Sequence, residues 1–240
     1  MRSSSAPVWA VIPAAGTGSR MHSDTAKQYL RFQGKTIIEH CLDRLLSHAA
    51  IAGAIVVLRQ GDDNWNQLEY RHDKPVFTAI GGDQRNESVY NGLISLHSRA
   101  GNHALALVHD AVRPLVTHRD LGQVIDAARQ NSVGAILASP VIDTLKIQNH
   151  NMEIASTQPR EGLWRALTPQ VFYLQTLLQA LKRVIDENLA VTDDAQAIEL
   201  AGFKPRLVEG SATNLKITTL ADLSLAEKIW LDQRDQQDDE

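Results

Sequence analysis

Five short apolar runs, Val8–Ile12, Ala54–Leu58, Val76–Ile80, Ala104–Val108 and Val133–Ala138, alternate with longer stretches of helical pattern. This rhythm is what most restricts the fold. Ala54–Leu58 is apolar on every residue rather than on alternate ones and reads as a buried strand, which points to a sheet covered on both faces. Helices of 10–15 residues between such strands give crossover connections and an α/β domain with a mainly parallel sheet. The expected helices run from Thr36, where Thr36 and Glu39 form a capping box, to about His48; from Asp62 to Tyr70; from Arg85 to His97; and from Thr117 to Gln130. At 240 residues the chain fits a single domain spanning 1–240.

Beyond Ala138 the rhythm changes. Thr144–Thr157 alternates around the polar turn Asn149-His150-Asn151 and predicts a β-hairpin. A helix is expected from about Phe172 to Glu187. Thr192 is expected to cap another, which Gly202 ends. Arg206–Val208 and Asn214–Ile217 read as short strands, Leu220–Asp232 as a terminal helix, and Asp235–Glu240 as a solvated tail. The residues before Val8 read as a short frayed leader, not a secretory signal, because Pro13 and Gly16 break the apolar run.

Charge and cysteine content narrow the function. A net charge of −4 without a Lys/Arg cluster argues against nucleic-acid or anionic-membrane binding. No stretch has the length of a membrane span, and the expected location is the cytoplasm. The lone Cys41 excludes an internal disulfide framework and reads as a small buried residue. The nine histidines show no H-E-x-x-H spacing, and no G-x-S-x-G elbow occurs.

The first strand empties into a loop with Gly16 and Gly18, followed by Arg20 and Lys27. Glycines let a backbone approach closely and aim N–H groups at phosphates, and the cations neutralise what is held there. The segment is not a Walker A loop, because its glycines are too close and no Lys-Ser/Thr pair follows. It is not a dinucleotide fingerprint either: Met21 replaces the third glycine and no ribose-binding acid follows.

Ligands of open α/β sheets bind at the carboxyl ends of the strands. That rule gathers Pro13–Arg20, Gly81-Gly82-Asp83 and His109-Asp110. Asp110 is either a Mg²⁺ ligand, working with substrate phosphate oxygens, or a cap for the following turn. Asp83 is either a contact for ribose or base, or the cap of the next helix. His109 points to the face opposite Asp110 and reads as structural.

P-A-A-G-T-G-S-R-M (13–21), K-Q-Y (27–29), G-G-D-Q-R-N-E-S-V (81–89), H-D-A-V-R-P (109–114), D-T-L-K (143–146), A-L-T-P-Q (166–170), T-D-D-A (192–195) and E-G-S-A-T-N-L-K-I-T (209–218) together resemble the 2-C-methyl-D-erythritol 4-phosphate cytidylyltransferases, from about Val8 to Leu225. Two departures occur: Ala26 stands where proline is common, and Val112 where alanine is common. The resemblance implies a Rossmann-like sheet of the nucleotide-diphospho-sugar transferase type with a protruding β-hairpin arm, residues 142–168, through which two copies form a homodimer. It implies CMP transfer from CTP to methylerythritol 4-phosphate, with release of pyrophosphate.

By the same resemblance, Arg20 and Lys27 stabilise the transition state and Asp110 binds Mg²⁺. Pro13, Ala14, Ala15, Gly16, Gly18, Gly82, Asp83, Arg85 and Ser88 hold CTP, with Gly82, Asp83 and Ser88 reading the cytosine. Arg160 and Lys216 position the acceptor phosphate, and Thr144, Thr168 and Thr192 line that side. The arm is expected to carry Thr144 and Arg160 into the neighbouring subunit's site. The nearest alternative is a ribitol-5-phosphate cytidylyltransferase; A-L-T-P-Q and E-G-S-A-T-N-L-K favour the methylerythritol enzyme. A nicotinamide oxidoreductase lacks its fingerprint here, and a catalytically dead sensor is disfavoured by retention of Arg20, Lys27, Asp110 and Lys216. The second catalytic domain of fused family members is not expected.

Overall fold

The structure, a computed structural model, describes residues 6–16, 25–101 and 103–238. Gly18 and Arg20 of the glycine loop lie outside the described residues. A seven-stranded sheet forms the centre, built from β1 (Val8–Pro13), β4 (Ile51–Leu58), β5 (Val76–Ile80), β6 (Leu105–Val108), β7 (Gly134–Pro140), β10 (Trp164–Tyr173) and β11 (Arg206–Glu209). Their order is β11-β7-β10-β6-β1-β4-β5. All neighbours pair in parallel except β10, which runs antiparallel to both β6 and β7.

Helices cover both faces, as the doubly apolar strands require. On one side, α1 (Ile37–Leu46) and α4 (His118–Gln130) bury Leu42, Leu45, Leu121 and Val124 against Ala10, Ile12, Val56 and Leu107. On the other, α3 (Arg85–Ala100), α5 (Leu174–Asp186) and α6 (Asp194–Leu200) bury Val89, Leu93, Leu177 and Ile198 against Val11, Val57 and Phe172. The short α2 (Asp63–Leu68) joins β4 to β5, and α7 (Leu220–Asp238) closes a smaller cluster around Phe32, Ile37 and Ile217. Among the described residues no helix is long and apolar enough to cross a membrane.

The expected caps are partly as read. Thr36 and Glu39 form their capping box, and Thr117 accepts from Asp120 N–H to start α4. Helix α6, however, is capped by Asp193, which accepts from Gln196 N–H; Thr192 instead donates its hydroxyl to the Gln196 side chain. A carboxylate one residue nearer the helix takes the cap. Gly202, at φ +86°, follows α6 as expected.

Three further corrections concern strands. The run Asn214–Ile217 is not a strand. It is an extended segment pinned by Ile217 N–H to Val112 O (2.9 Å) and by the buried Asn214 side chain. Strand β10 was not expected, and it displaces the start of α5 from Phe172 to Leu174. The two-residue strands β2 (Arg31–Phe32) and β3 (Lys35–Thr36), which pair before α1, were not expected either. The hairpin of β8 (Leu145–Gln148) and β9 (Ile154–Gln158) forms where expected and, among the described residues, pairs only with itself.

Strand β1 is the switch point of this topology, since the chain leaves it toward β4 and β5 on one side and returns to β6 on the other. A crevice therefore opens at its carboxyl end.

Candidate active site

Two cavities meet at that crevice. The first, of about 230 Å³, is lined by Pro13 at the end of β1 with Ala14, Ala15 and Gly16 after it, Lys27 and Gln28 from the 3-10 turn Lys27–Tyr29, Gly82–Arg85 and Ser88, and Asp110–Val112 with Lys216. The second, of about 260 Å³, is lined by Ala166–Thr168, Gln170, Thr192, Asp193 and Arg113. Arg85, Asp110 and Lys216 line both cavities and form the wall between them.

Asp110 is the centre of that wall. Its Oδ2 lies 2.9 Å from Lys216 Nζ and 3.4 Å from Arg113 Nε, and its Oδ1 lies 3.5 Å from Arg85 Nε. Burial alone would raise this carboxyl; Arg85, Lys216 and Arg113 outweigh burial and hold it far below the usual carboxylate range. One carboxylate facing three cations leaves a net positive wall, which suits an anionic ligand on either side. The alternative reading of Asp110 as a mere turn cap does not describe these contacts.

The backbone under Asp110 is fixed by a hydrogen-bond chain. Asp110 N–H donates to Thr168 Oγ1 at 3.1 Å, and Thr168 Oγ1 lies 3.1 Å from His109 Nδ1. His109 Nε2 lies 2.9 Å from the Arg113 carbonyl, which can only accept, so Nε2 carries the proton and Nδ1 accepts from the Thr168 hydroxyl. His109 is fully buried and structural, as expected. The Thr168 hydroxyl lines the second cavity but directs its proton into the fold.

The loop after β5 is held close to the first. A Cβ on Gly81 would sit 2.7 Å from Ser88 Oγ and 2.8 Å from Ala15 Cβ, so only glycine permits this approach. Ser88 accepts from Gly82 N–H (3.2 Å) and donates to the Gln84 carbonyl (3.1 Å). Asp83 does not cap α3. Glu87 takes that role by accepting from Gln84 N–H, which leaves Asp83 exposed at the cavity.

Thus Pro13, Ala14, Ala15, Gly16, Lys27, Gly82, Asp83, Arg85, Ser88, Asp110 and Lys216 converge on the first cavity, and Thr168 and Thr192 on the second. Thr144 and Arg160 line neither. Both are exposed around the β8–β9 hairpin, where Arg160 hydrogen-bonds the Ile142 carbonyl. Sequence reasoning missed Gln28, Arg113 and Asn214. Arg113 anchors the site by donating to Asn214 O at 2.8 Å, while Asn214 Nδ2 donates to Thr168 O at 2.8 Å. The spacing of Arg113 three residues after Asp110 was the available signal. Of the two departures, Ala26 adopts φ −60°, close to the value a proline ring would impose, and Val112 is buried with Phe32, Ile37 and Cys41.

Residues 8–232 match the family described as 2-C-methyl-D-erythritol 4-phosphate cytidylyltransferase. A relative of that name from Stenotrophomonas maltophilia (strain K279a) is 47% identical over 225 residues, covering 94% of this chain and 97% of the relative. One from Pseudomonas putida (strain GB-1) is 42% identical over 227 residues, with coverage of 94% and 97%. Among solved structures, a 4-diphosphocytidyl-2C-methyl-D-erythritol synthase superposes with TM-score 0.82 at 34% identity, covering 95% of this chain and all of that one. The Francisella tularensis 2-C-methyl-D-erythritol 4-phosphate cytidylyltransferase superposes with TM-score 0.80 at 33% identity, with coverage of 93% and 99%.

Proposed function

The chain belongs to the 2-C-methyl-D-erythritol 4-phosphate cytidylyltransferase family, and from that premise we propose that it transfers CMP from CTP to 2-C-methyl-D-erythritol 4-phosphate. The observation that carries this reading is the pair of cavities divided by Arg85, Asp110 and Lys216. A transfer between two phosphorylated substrates needs two anion subsites that share one wall.

CTP occupies the first cavity, its cytosine toward Gly82, Asp83 and Ser88 and its triphosphate toward the loop Pro13–Gly16 and Lys27. The acceptor phosphate enters from the second, beside Thr168, Thr192 and Lys216. An acceptor phosphate oxygen attacks the α-phosphorus in line, a new P–O bond forms, and the bond to the β-phosphate bridging oxygen breaks. The electron pair leaves with pyrophosphate. The attacking group is already an anion, so no general base is required and the protein works by positioning and charge stabilisation. Lys27, with Arg20, answers the charge on the α-phosphate, and Lys216 holds the acceptor.

Asp110 is the carboxylate that would hold a divalent ion together with phosphate oxygens, once the nucleotide's phosphates draw Lys216 and Arg85, its ion-pair partners here, toward themselves. It offers one carboxylate at the shared wall, and no cluster of three or more His, Cys, Asp or Glu occurs among the described residues to hold an ion unaided. Magnesium, when bound there with the nucleotide, would neutralise triphosphate charge.

The chain reads as one nucleotidyltransferase domain with an arm over residues 142–168. The arm exposes Ile142 (72%), Met152 (79%) and Ile154 (68%), an apolar surface that supports a homodimer. The exposure of Thr144 and Arg160 away from both cavities supports their delivery to a second copy's site. The test is pyrophosphate release from CTP with each acceptor. Turnover with methylerythritol 4-phosphate and little with ribitol 5-phosphate is expected; the reverse preference overturns the assignment.

A further inference from the structure

Gln28 is 3% exposed and lies against the segment Ala14–Gly16 that follows β1. Its Nε2 donates to the Ala14 carbonyl at 2.8 Å and to the Gly16 carbonyl at 3.2 Å, so one amide binds two peptide groups of the same loop. The N–H of Ala14 is already held by the Val57 carbonyl at 2.8 Å. Gln28 itself cannot shift easily. It lies in the 3-10 turn between Lys27 and Tyr29, and the Tyr29 hydroxyl donates to buried Asp62 at 2.9 Å.

This arrangement has an electrostatic consequence. Each peptide group carries an acceptor that repels phosphate and a donor that attracts it, and in a trans peptide the two point in opposite directions. Binding the Ala14 carbonyl to Gln28 therefore turns Ala15 N–H away from Gln28. Binding the Gly16 carbonyl keeps a second partial negative charge from facing the ligand. A free loop would sample both orientations, and the flipped one would present oxygens to a triphosphate. A Cβ added at Gly16 would meet nothing within 4 Å among the described residues, so the Gln28 amide, rather than steric contact on that side, holds the Gly16 carbonyl.

We propose that Gln28 is a positioning residue that fixes the polarity of this loop, holding its carbonyls inward so that the loop offers N–H donors to the β- and γ-phosphates of the nucleotide. The inference rests on the CTP-dependent reading above. It assigns Gln28 no contact with the reacting atoms. Because Gln28 adjoins Lys27, the same side chain also joins the position of the loop to that of the cation.

The test compares nucleotides that differ only in phosphate number. Gln28→Met keeps the volume and removes both donors; Gln28→Glu keeps the shape and places a carboxylate against two carbonyls. Dissociation constants for CTP, CDP and CMP are measured by calorimetry on wild type and both variants, with Mg²⁺ present. The expected result is a loss of about tenfold or more for CTP, less for CDP, and less than twofold for CMP, with the larger loss in Gln28→Glu. Equal losses for CTP and CMP, or unchanged CTP affinity, overturn the inference. The ratio of CTP to CMP affinity does not depend on the folded fraction, so lowered stability leaves it readable. A wild-type protein that fails to prefer CTP over CMP would instead overturn the functional reading, whatever the variants do.

Discussion

Arg85 and Asp194 form an ion pair of 2.9 Å at the foot of the wall between the two cavities, with the Asp194 carboxylate fully buried at the start of α6. Burial raises the Asp194 carboxyl, and Arg85 opposes that rise without reversing it. On the other partner, burial works against the Arg85 charge, and the Asp194 and Asp110 carboxylates outweigh it. Arg85 is thus held between an aspartate facing the ligand space and one that never reaches it.

Removing the hidden partner should be costly. Asp194→Ala is expected to destabilise the protein by about 2–3 kcal/mol, below the usual range for a broken buried pair because Arg85 is partly exposed and keeps Asp110. Urea midpoints for Asp194→Ala, Arg85→Ala and the double variant would give the coupling, expected at about 1–3 kcal/mol. A coupling near zero would mean that Arg85 is placed by packing alone.

His109 makes stability depend on pH. Burial outweighs the Arg113 carbonyl contact and the attraction of Asp110, and it pushes the imidazole down from 6.5 to about 4. The fold therefore favours the neutral ring. Its stabilisation is complete above pH 6.5 and is lost as pH falls toward 4, by on the order of 3 kcal/mol. His109→Gln should flatten the unfolding free energy between pH 6.5 and 4 relative to wild type. Parallel profiles for the two proteins would remove His109 as the source.

The sequence made the parallel sheet legible because its strands are short, doubly apolar and bounded by helices with clear caps. Strand β10 was hidden by Pro169, which lacks a donor and argues against a central strand; the strand carries it within a register shift between Ala166 and Gln170. The site was legible wherever a strand ended in a glycine or a carboxylate, since topology alone brings those ends together. Gln28 and Asn214 were not. Their roles consist of hydrogen bonds to distant carbonyls, at Ala14 and Gly16 for one and Thr168 for the other, and no local pattern encodes such contacts.

Lys27 lines the first cavity immediately before the buried Gln28 and Tyr29, on a turn that packing holds in place. Its charge should serve the transition state more than the ground state. Lys27→Ala is expected to lower kcat by roughly 10²–10³-fold with a smaller change in KM for CTP. Steady-state rates with both substrates varied would check this, and an unchanged kcat would remove Lys27 from the mechanism.

Arg160 gives the sharpest test of the arm. Within one chain it sits by Ile142, outside both cavities, whereas Lys27 lines the first. Arg160→Ala alone should mainly raise KM for the acceptor, because a phosphate contact of this kind is similar in ground and transition states. If each site takes Lys27 from one chain and Arg160 from the other, a mixed dimer of Lys27→Ala and Arg160→Ala chains contains one intact site and one doubly defective site. Mixed dimers isolated with two different affinity tags should then recover about half of the wild-type rate at low acceptor concentration, although each parent is nearly inactive there. Mixed dimers as inactive as their parents would place both groups in the same chain's site and leave the arm a purely structural clasp.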